Sequence, residues 1–158
     1  MSELNPYAKY LVGRPLETML AEAPAAFAAL LDALGPDRIN VPIAPGKWSP
    51  TQIICHLADC EMAFGFRLRQ TLAEDNHTIQ PFDQDHWATP YSGISAQDAL
   101  VAYNAMRRWN LILISSALPR AADKLANHPE RGAITFQIIA ETMAGHDVNH
   151  LEQLRKLV

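Results

Sequence analysis

Near the C-terminus, Ile139, Met143, His146, His150, Leu154 and Leu157 recur at spacings of four and three. That period predicts a helix whose inner seam packs against neighbouring elements. Two positions of the seam, one turn apart on the same face, hold imidazoles where leucine is expected. Burying polar rings is costly unless they are paired or bound to a metal. The chain must therefore supply a facing surface that is apolar for most of its length and carries a partner for His146 and His150.

Three further stretches carry the same helical period. Leu16, Leu20, Ala23, Phe27, Leu30, Leu31 and Leu34 define a first helix that ends at Gly35-Pro36. Pro24 lies inside it and predicts a kink in one helix rather than two short ones. Residues 1–13 read as an irregular lead-in with a turn around Pro6. After a connection over 35–48, Ser49-Pro50-Thr51-Gln52 is the clearest helix start: a serine cap, proline at the first helical position and glutamine placed to close a capping box. The stripe Ile53, Leu57, Cys60, Phe64 and Leu68 predicts a second helix over 50–73. Ser95, with Asp98 at the capping-box position, opens a third helix, whose mixed face holds Leu100, Tyr103, Arg107, Asn110, Leu111, Ile114 and Leu118 and which Pro119 is expected to close. Thr135 caps the fourth, running to about Lys156. Long connections at 35–48, 74–94 and 119–134 separate the four, with no convincing strand and no repeat. An all-α, antiparallel four-helix bundle follows, as one domain over 1–158.

Composition narrows the function classes. The chain of 158 residues is 49% hydrophobic and 19% charged, with a formal net charge of −4 and no basic run or basic face, which argues against nucleic acid as a partner. No apolar run approaches the roughly eighteen residues of a membrane span. The start, MSELNPYAKYLVGRP, lacks the basic-then-apolar pattern of a signal peptide. Cys55 and Cys60 point about 140° apart on one helix and are not expected to pair. A reduced, cytoplasmic protein is the expectation.

His56 lies three residues after Ile53 and one before Leu57, so it faces the same interior as that stripe and offers a third imidazole. Three neutral imidazoles are a common ligand set for a transition metal and leave a coordination position for water or substrate. Asp147 follows His146 where the His-Glu-x-x-His metalloproteases carry glutamate, so a protease is not indicated. The alternative is a polar core in which the histidines are merely hydrogen-bonded. Cys60, four residues after His56, reads as a small buried filler; in a second reading it closes a structural three-histidine, one-cysteine site. Asp59 is placed either to orient an imidazole or to sit on a solvated edge; Glu61 points to the mouth of the site, to solvent or into a salt bridge. Asp147 and Asn149 flank the seam. His77, His86 and His128 fall in loops, and His86 is the one whose loop could cover the site. Trp48 is expected to anchor the second helix. The aromatic 74–94 stretch, with Phe82, Trp87 and Tyr91, reads as a packed loop.

The motifs Gly46-Lys47-Trp48-Ser49-Pro50 and His56-Leu57-Ala58-Asp59-Cys60-Glu61 resemble the second-helix signature of the DinB-like superfamily, which includes the YfiT-type metal-dependent hydrolase group. Pro81 to Ala88, His128-Pro129-Glu130-Arg131-Gly132, Thr135, and Gly145-His146-Asp147 to His150-Leu151 continue the likeness in order, over about Arg14–Val158. The resemblance implies a four-helix bundle of DinB/YfiT type with crossover connections. It implies a divalent metal (nickel, zinc or iron) on His56, His146 and His150, and a homodimer. It also implies a transferase or isomerase that uses a small thiol such as bacillithiol, mycothiol or glutathione. Cys60 stands where the motif has serine. The function expected is a thiol-dependent S-transferase acting on an electrophilic small molecule; the alternatives are a metal-dependent hydrolase and a non-catalytic metal- or ligand-binding stress or sensor bundle.

Overall fold

The computed structural model describes residues 4–158. Four long helices carry it: α1 (Leu16–Leu34), α2 (Pro50–Ala73), α4 (Ala96–Ala121) and α5 (Phe136–Arg155), with a single-turn α3 (Gln84–Trp87) between α2 and α4. The capping box at the start of α2 is complete: Gln52 N–H donates to Ser49 Oγ at 3.2 Å and Ser49 N–H donates to Gln52 Oε1 at 2.9 Å. At α4 the shorter Asp98 carboxylate accepts the Ser95 hydroxyl at 2.6 Å, while Asp98 N–H donates to that same hydroxyl. Thr135 caps α5 through Ile138 N–H. α1 runs unbroken through Pro24 and ends at Gly35, whose φ of 73° with ψ of 169° is a backbone shape that disfavours any side chain.

α1 and α5 run in one direction and α2 and α4 in the other. Leu20 meets Arg107 and Phe27 meets Tyr103, so α1 is antiparallel to α4. His56 and Phe64 both meet His146, while Leu151 and Leu154 pack with Ile53, which makes α5 antiparallel to α2. Glu61 meets Arg107 and the Leu72 carbonyl meets Lys124, so α2 and α4 lie side by side and parallel. α1 and α2 each lie between α4 and α5. The chain therefore crosses the bundle between α1 and α2, and the 74–95 segment carries it back along the bundle to start α4. This is the four-helix bundle that the helical periods predict, with the crossover connections that the family resemblance implies.

Two features depart from the sequence expectation. Pro119 does not close α4, which continues to Ala121; proline's φ suits the helix, and so close to its end one missing hydrogen bond is tolerated. The 119–134 connection contains a hairpin, β1 (Leu125–His128) and β2 (Gly132–Thr135), with Ala126 opposite Ile134 and His128 opposite Gly132. Residues 77–79 add to it: Asn127 N–H donates to the His77 carbonyl and Ile79 N–H to the Asn127 carbonyl, both at 2.9 Å. Four-residue strands are too short for alternation to be read, although Pro129 and Gly132 mark the turn. The 74–94 segment is packed, with α3, a 3₁₀ turn over Thr89–Gly93 and a buried Tyr91.

The core consists of two apolar clusters. One gathers Met19, Leu68, Ile114, Phe136 and Met143; the other gathers Phe27, Ile53, Ile54, Tyr103 and Leu154. Between them lies a polar layer in which Arg107, 2% exposed, pairs with Glu61 and Asp147. Among the described residues no helix is long and apolar enough to cross a membrane. Replacing Arg107 by Met leaves two buried carboxylates without their cation and is expected to cost about 3–5 kcal/mol; urea unfolding of the variant measures it, and a loss under about 1 kcal/mol, the range of an exposed pair, would contradict the structural weight given to this layer.

Candidate metal centre

His56 sits near the middle of α2; His146 and His150 lie one turn apart on the facing side of α5. All three are buried, and one ligand atom from each falls within a group spanning 4.8 Å. His146 Nε2 is 3.1 Å from His56 Nε2 and 3.1 Å from His150 Nε2. The sequence-predicted triad is thus brought together by two antiparallel helices whose facing registers match.

Burial pushes His56 down to about 3, helped by His150, and His150 down to about 4 against the pull of Gln153. His146 is lowered further, by burial and then by its two imidazole neighbours and Arg107. The rings are therefore neutral near pH 7. His150 Nδ1–H donates to Gln153 Oε1 at 3.2 Å, which leaves its Nε2 as a lone pair directed at His146 Nε2. One proton can bridge only one of the two contacts at His146 Nε2, so hydrogen bonding among the rings does not satisfy the cluster. Nitrogens that share one ion at about 2.0–2.1 Å lie roughly 3 Å apart, the spacing seen here. The residues fit a divalent transition metal.

The surroundings explain the pocket's shape. Trp48 packs on His56 with ring centres 4.8 Å apart, and Tyr7 meets His146 edge-on at 5.3 Å. Tyr7 can come this close because residue 145 is glycine: a Cβ there would lie 2.6 Å from Tyr7 Cβ and 2.7 Å from its carbonyl oxygen. Tyr10 donates to Asn149 Oδ1 at 2.9 Å and holds the same N-terminal segment on α5. Sequence reasoning missed this strap; a glycine inside a helix, directly before His146, was its signal. A cavity of about 180 Å³ opens beside His56 and His146, with Phe64, Ile79, Phe82 and Ile139 among its walls.

Cys60 also lines this cavity, but the three-imidazole group does not include it. Its sulfur is 3.5 Å from His56 Nε2 and 3.8 Å from Nδ1, beside the ring rather than along the Nε2 lone pair. Burial, with Glu61 and Asp147 nearby, pushes the thiol's pKa well up and keeps it protonated. Asp59 does not orient an imidazole; it accepts the Tyr91 hydroxyl at 2.6 Å. Glu61 is buried and faces neither the mouth of the site nor solvent: it pairs with Arg107, as does Asp147, which burial raises to about 6 against the Arg107 charge. His86 is exposed and bonded to Asp83, away from the cluster. His77, expected in an exposed loop, is buried without a hydrogen-bond partner for either ring nitrogen among the described residues. His128, at the end of β1, lines the cavity.

Residues 19–154 match the sequence profile of the DinB superfamily. A Bacillus mycoides (strain KBAB4) protein provisionally named a metal-dependent hydrolase is 25% identical over 139 residues, covering 87% of this chain and 80% of its own. An Oceanobacillus iheyensis protein, named in the same provisional terms, is 27% identical over 125 residues, covering 78% of this chain and 73% of its own. In structure, the chain is similar to YfiT from Bacillus subtilis, described as a probable metal-dependent hydrolase with an unusual four-helix bundle topology. The TM-score is 0.83 at 20% identity, covering 90% of this chain and 83% of that one. It is also similar to the four-helix bundle protein TT2238, with a TM-score of 0.66 at 20% identity, covering 89% and 96%.

Lowered histidine pKa values fix the sign of a pH effect. Below pH 6.5 the unfolded chain takes up protons that the folded metal-free protein refuses until about pH 4 for His150 and about pH 3 for His56. The histidine contribution to the stability of the metal-free protein is therefore full above pH 6.5 and is expected to fall from there toward pH 4, by up to about 1.4 kcal/mol per pH unit per histidine, opposed by the single carboxyl of Asp147, which is raised to about 6. Denaturant titrations after chelation check this, and His150→Gln is expected to flatten the slope.

Proposed function

The chain belongs to the DinB superfamily, and on that premise we propose that it is a divalent-metal-dependent enzyme that activates a small-molecule thiol and transfers its sulfur to an electrophile. The observation that carries this reading is three neutral imidazoles converging at the wall of a cavity whose one cysteine, Cys60, is held as an unreactive protonated thiol. A divalent metal there would supply Lewis acidity, lowering the pKa of a bound thiol toward neutrality. His56, His146 and His150 would hold it, with Gln153 fixing the His150 tautomer. Trp48 and Tyr7 pack against two of these rings and keep water from their outer faces. Phe64, Ile79 and Phe82 give the cavity an apolar wall suited to a carbon–sulfur substrate. In the transfer, the thiol proton leaves to solvent, the sulfur forms a bond to the electrophilic carbon, and the leaving group departs with its electron pair. The names carried by the relatives favour a second reading, in which water takes the place of the thiol and the reaction is hydrolysis. Two unpaired buried cysteines suit the reducing cytoplasm that such a thiol requires.

Elemental analysis of protein purified without an immobilised-metal column is expected to find one metal per chain. His146→Ala is expected to lose metal affinity at least about tenfold, as even partners of metal ligands do when removed. In the cobalt-substituted protein, glutathione, bacillithiol or mycothiol is expected to produce a sulfur-to-metal absorption band. Equal metal in both proteins removes the ligand assignment. A spectrum unmoved by all three thiols leaves hydrolysis as the reading to pursue.

A further inference from the structure

The same cavity contains charges that metal binding does not use. Arg67, from α2, and Arg131, from the hairpin turn, both line it, on a protein whose net charge is −4. Neither forms an ion pair with a described residue, although the fully buried guanidinium of Arg107 is paired twice. Arg67 is half-buried: its guanidinium lies 5.7 Å from the ring centres of both Phe64 and Phe82 and gives one hydrogen bond to the Gln80 carbonyl at 3.1 Å. Those contacts hold the plane of the group and leave most of its five N–H donors unused. Arg131 has one long contact, 3.4 Å, to the Leu4 carbonyl. The two cations are close enough to repel: burial first, and the Arg131 charge with it, lower the Arg67 pKa. Two like charges placed together in a partly desolvated pocket are costly unless an anion joins them.

His128 adds a third donor. Glu130 N–H donates to His128 Nδ1 at 3.2 Å, so the proton of the neutral ring is on Nε2. Burial, together with Arg131 and Arg67, holds this ring below its usual pKa. Planar guanidinium forks match the two oxygens of a carboxylate. The cavity, about 180 Å³, is below the roughly 300–1,000 Å³ of pockets for drug-sized ligands, so the ligand is small.

We propose that Arg67 and Arg131, with His128, bind the carboxylate of the small molecule that enters this cavity, and so select carboxylate-bearing substrates. The assignment rests on the metal-and-thiol reading only for the place of that molecule in the reaction. The carboxylate could belong to the thiol or to its electrophilic acceptor, and the test separates the two.

Metal-free protein is titrated with propionate and with its neutral analogue propionamide at low salt, following the arginine Nε–H signals by NMR. Propionate is expected to shift the signals of Arg67 and Arg131 and propionamide to leave them in place. Arg131→Gln, on the hairpin turn outside the helical core, is expected to weaken propionate at least about tenfold, the scale of one charge-assisted hydrogen bond. Equal response to the two probes, or an unchanged propionate affinity in Arg131→Gln, overturns the proposal whatever the metal does. Cobalt-substituted protein is then titrated with 3-mercaptopropionate and 2-mercaptoethanol. A preference for the former that collapses in Arg131→Gln places the carboxylate on the thiol. Equal affinities, with propionate still binding beside 2-mercaptoethanol, place it on the acceptor. If neither thiol moves the cobalt spectrum, the thiol reading fails while the propionate result stands.

Discussion

A single guanidinium, that of Arg107 on α4, is bonded to each of the other three long helices. It donates to Glu61 on α2 at 3.0 Å through Nε, to Asp147 on α5 at 2.6 Å and to the Leu20 carbonyl on α1 at 3.0 Å. Asn110, one turn along, donates to both the carboxylate and the backbone carbonyl of Glu61. Such a layer is a weak source of net stability, because desolvating three charges costs about what their attraction returns. Its effect is on register. Apolar seams tolerate slippage by a turn; a carboxylate that takes two guanidinium donors on one oxygen and the Asn110 amide on the other, flanked by a second carboxylate, does not. Glu61 lies five residues from His56, and Asp147 is the neighbour of His146. Once Arg107 is seated, the heights of α2 and α5 are set relative to each other, and with them the meeting of the imidazoles.

This dependence also explains which parts of the structure could be read from the chain. Helix starts were legible because caps are local: Ser49, Ser95 and Thr135 each accept from a backbone N–H three residues on. The triad was legible because helical period alone places His56, His146 and His150 inward. Partners across the bundle were not. Arg107 and Asn110 stood out on an otherwise apolar face, yet nothing in the spacing says which carboxylate they meet. Asp59, three residues from His56, looked the better placed to serve an imidazole; it serves Tyr91 instead, while Glu61 turns inward to Arg107. The hairpin escaped because its inward positions, Ala126 and Ile134, are one per strand. The strap at Tyr7 escaped because a close approach to Gly145 leaves only an absence, a missing side chain, as its trace.

The site divides between two kinds of element. The histidines sit on long helices braced by the Arg107 layer, and such placement gives ligand geometry its precision. The cavity beside them is walled largely from elsewhere: Tyr7 from the lead-in, Ile79 and Phe82 from the 74–94 segment, and His128, Arg131 and Ile134 from the hairpin. These segments are joined to one another, since residues 77–79 hydrogen-bond along β1 and Arg131 reaches the Leu4 carbonyl. Loops accept substitution and insertion more readily than packed helices do. A bundle built this way can keep its histidine triad while its connections alter the cavity beside it. The parallel run of α2 and α4 requires a long crossover, so the topology itself supplies the chain that brings Ile79 and Phe82 to the cavity, and the hairpin between α4 and α5 closes the wall beside them.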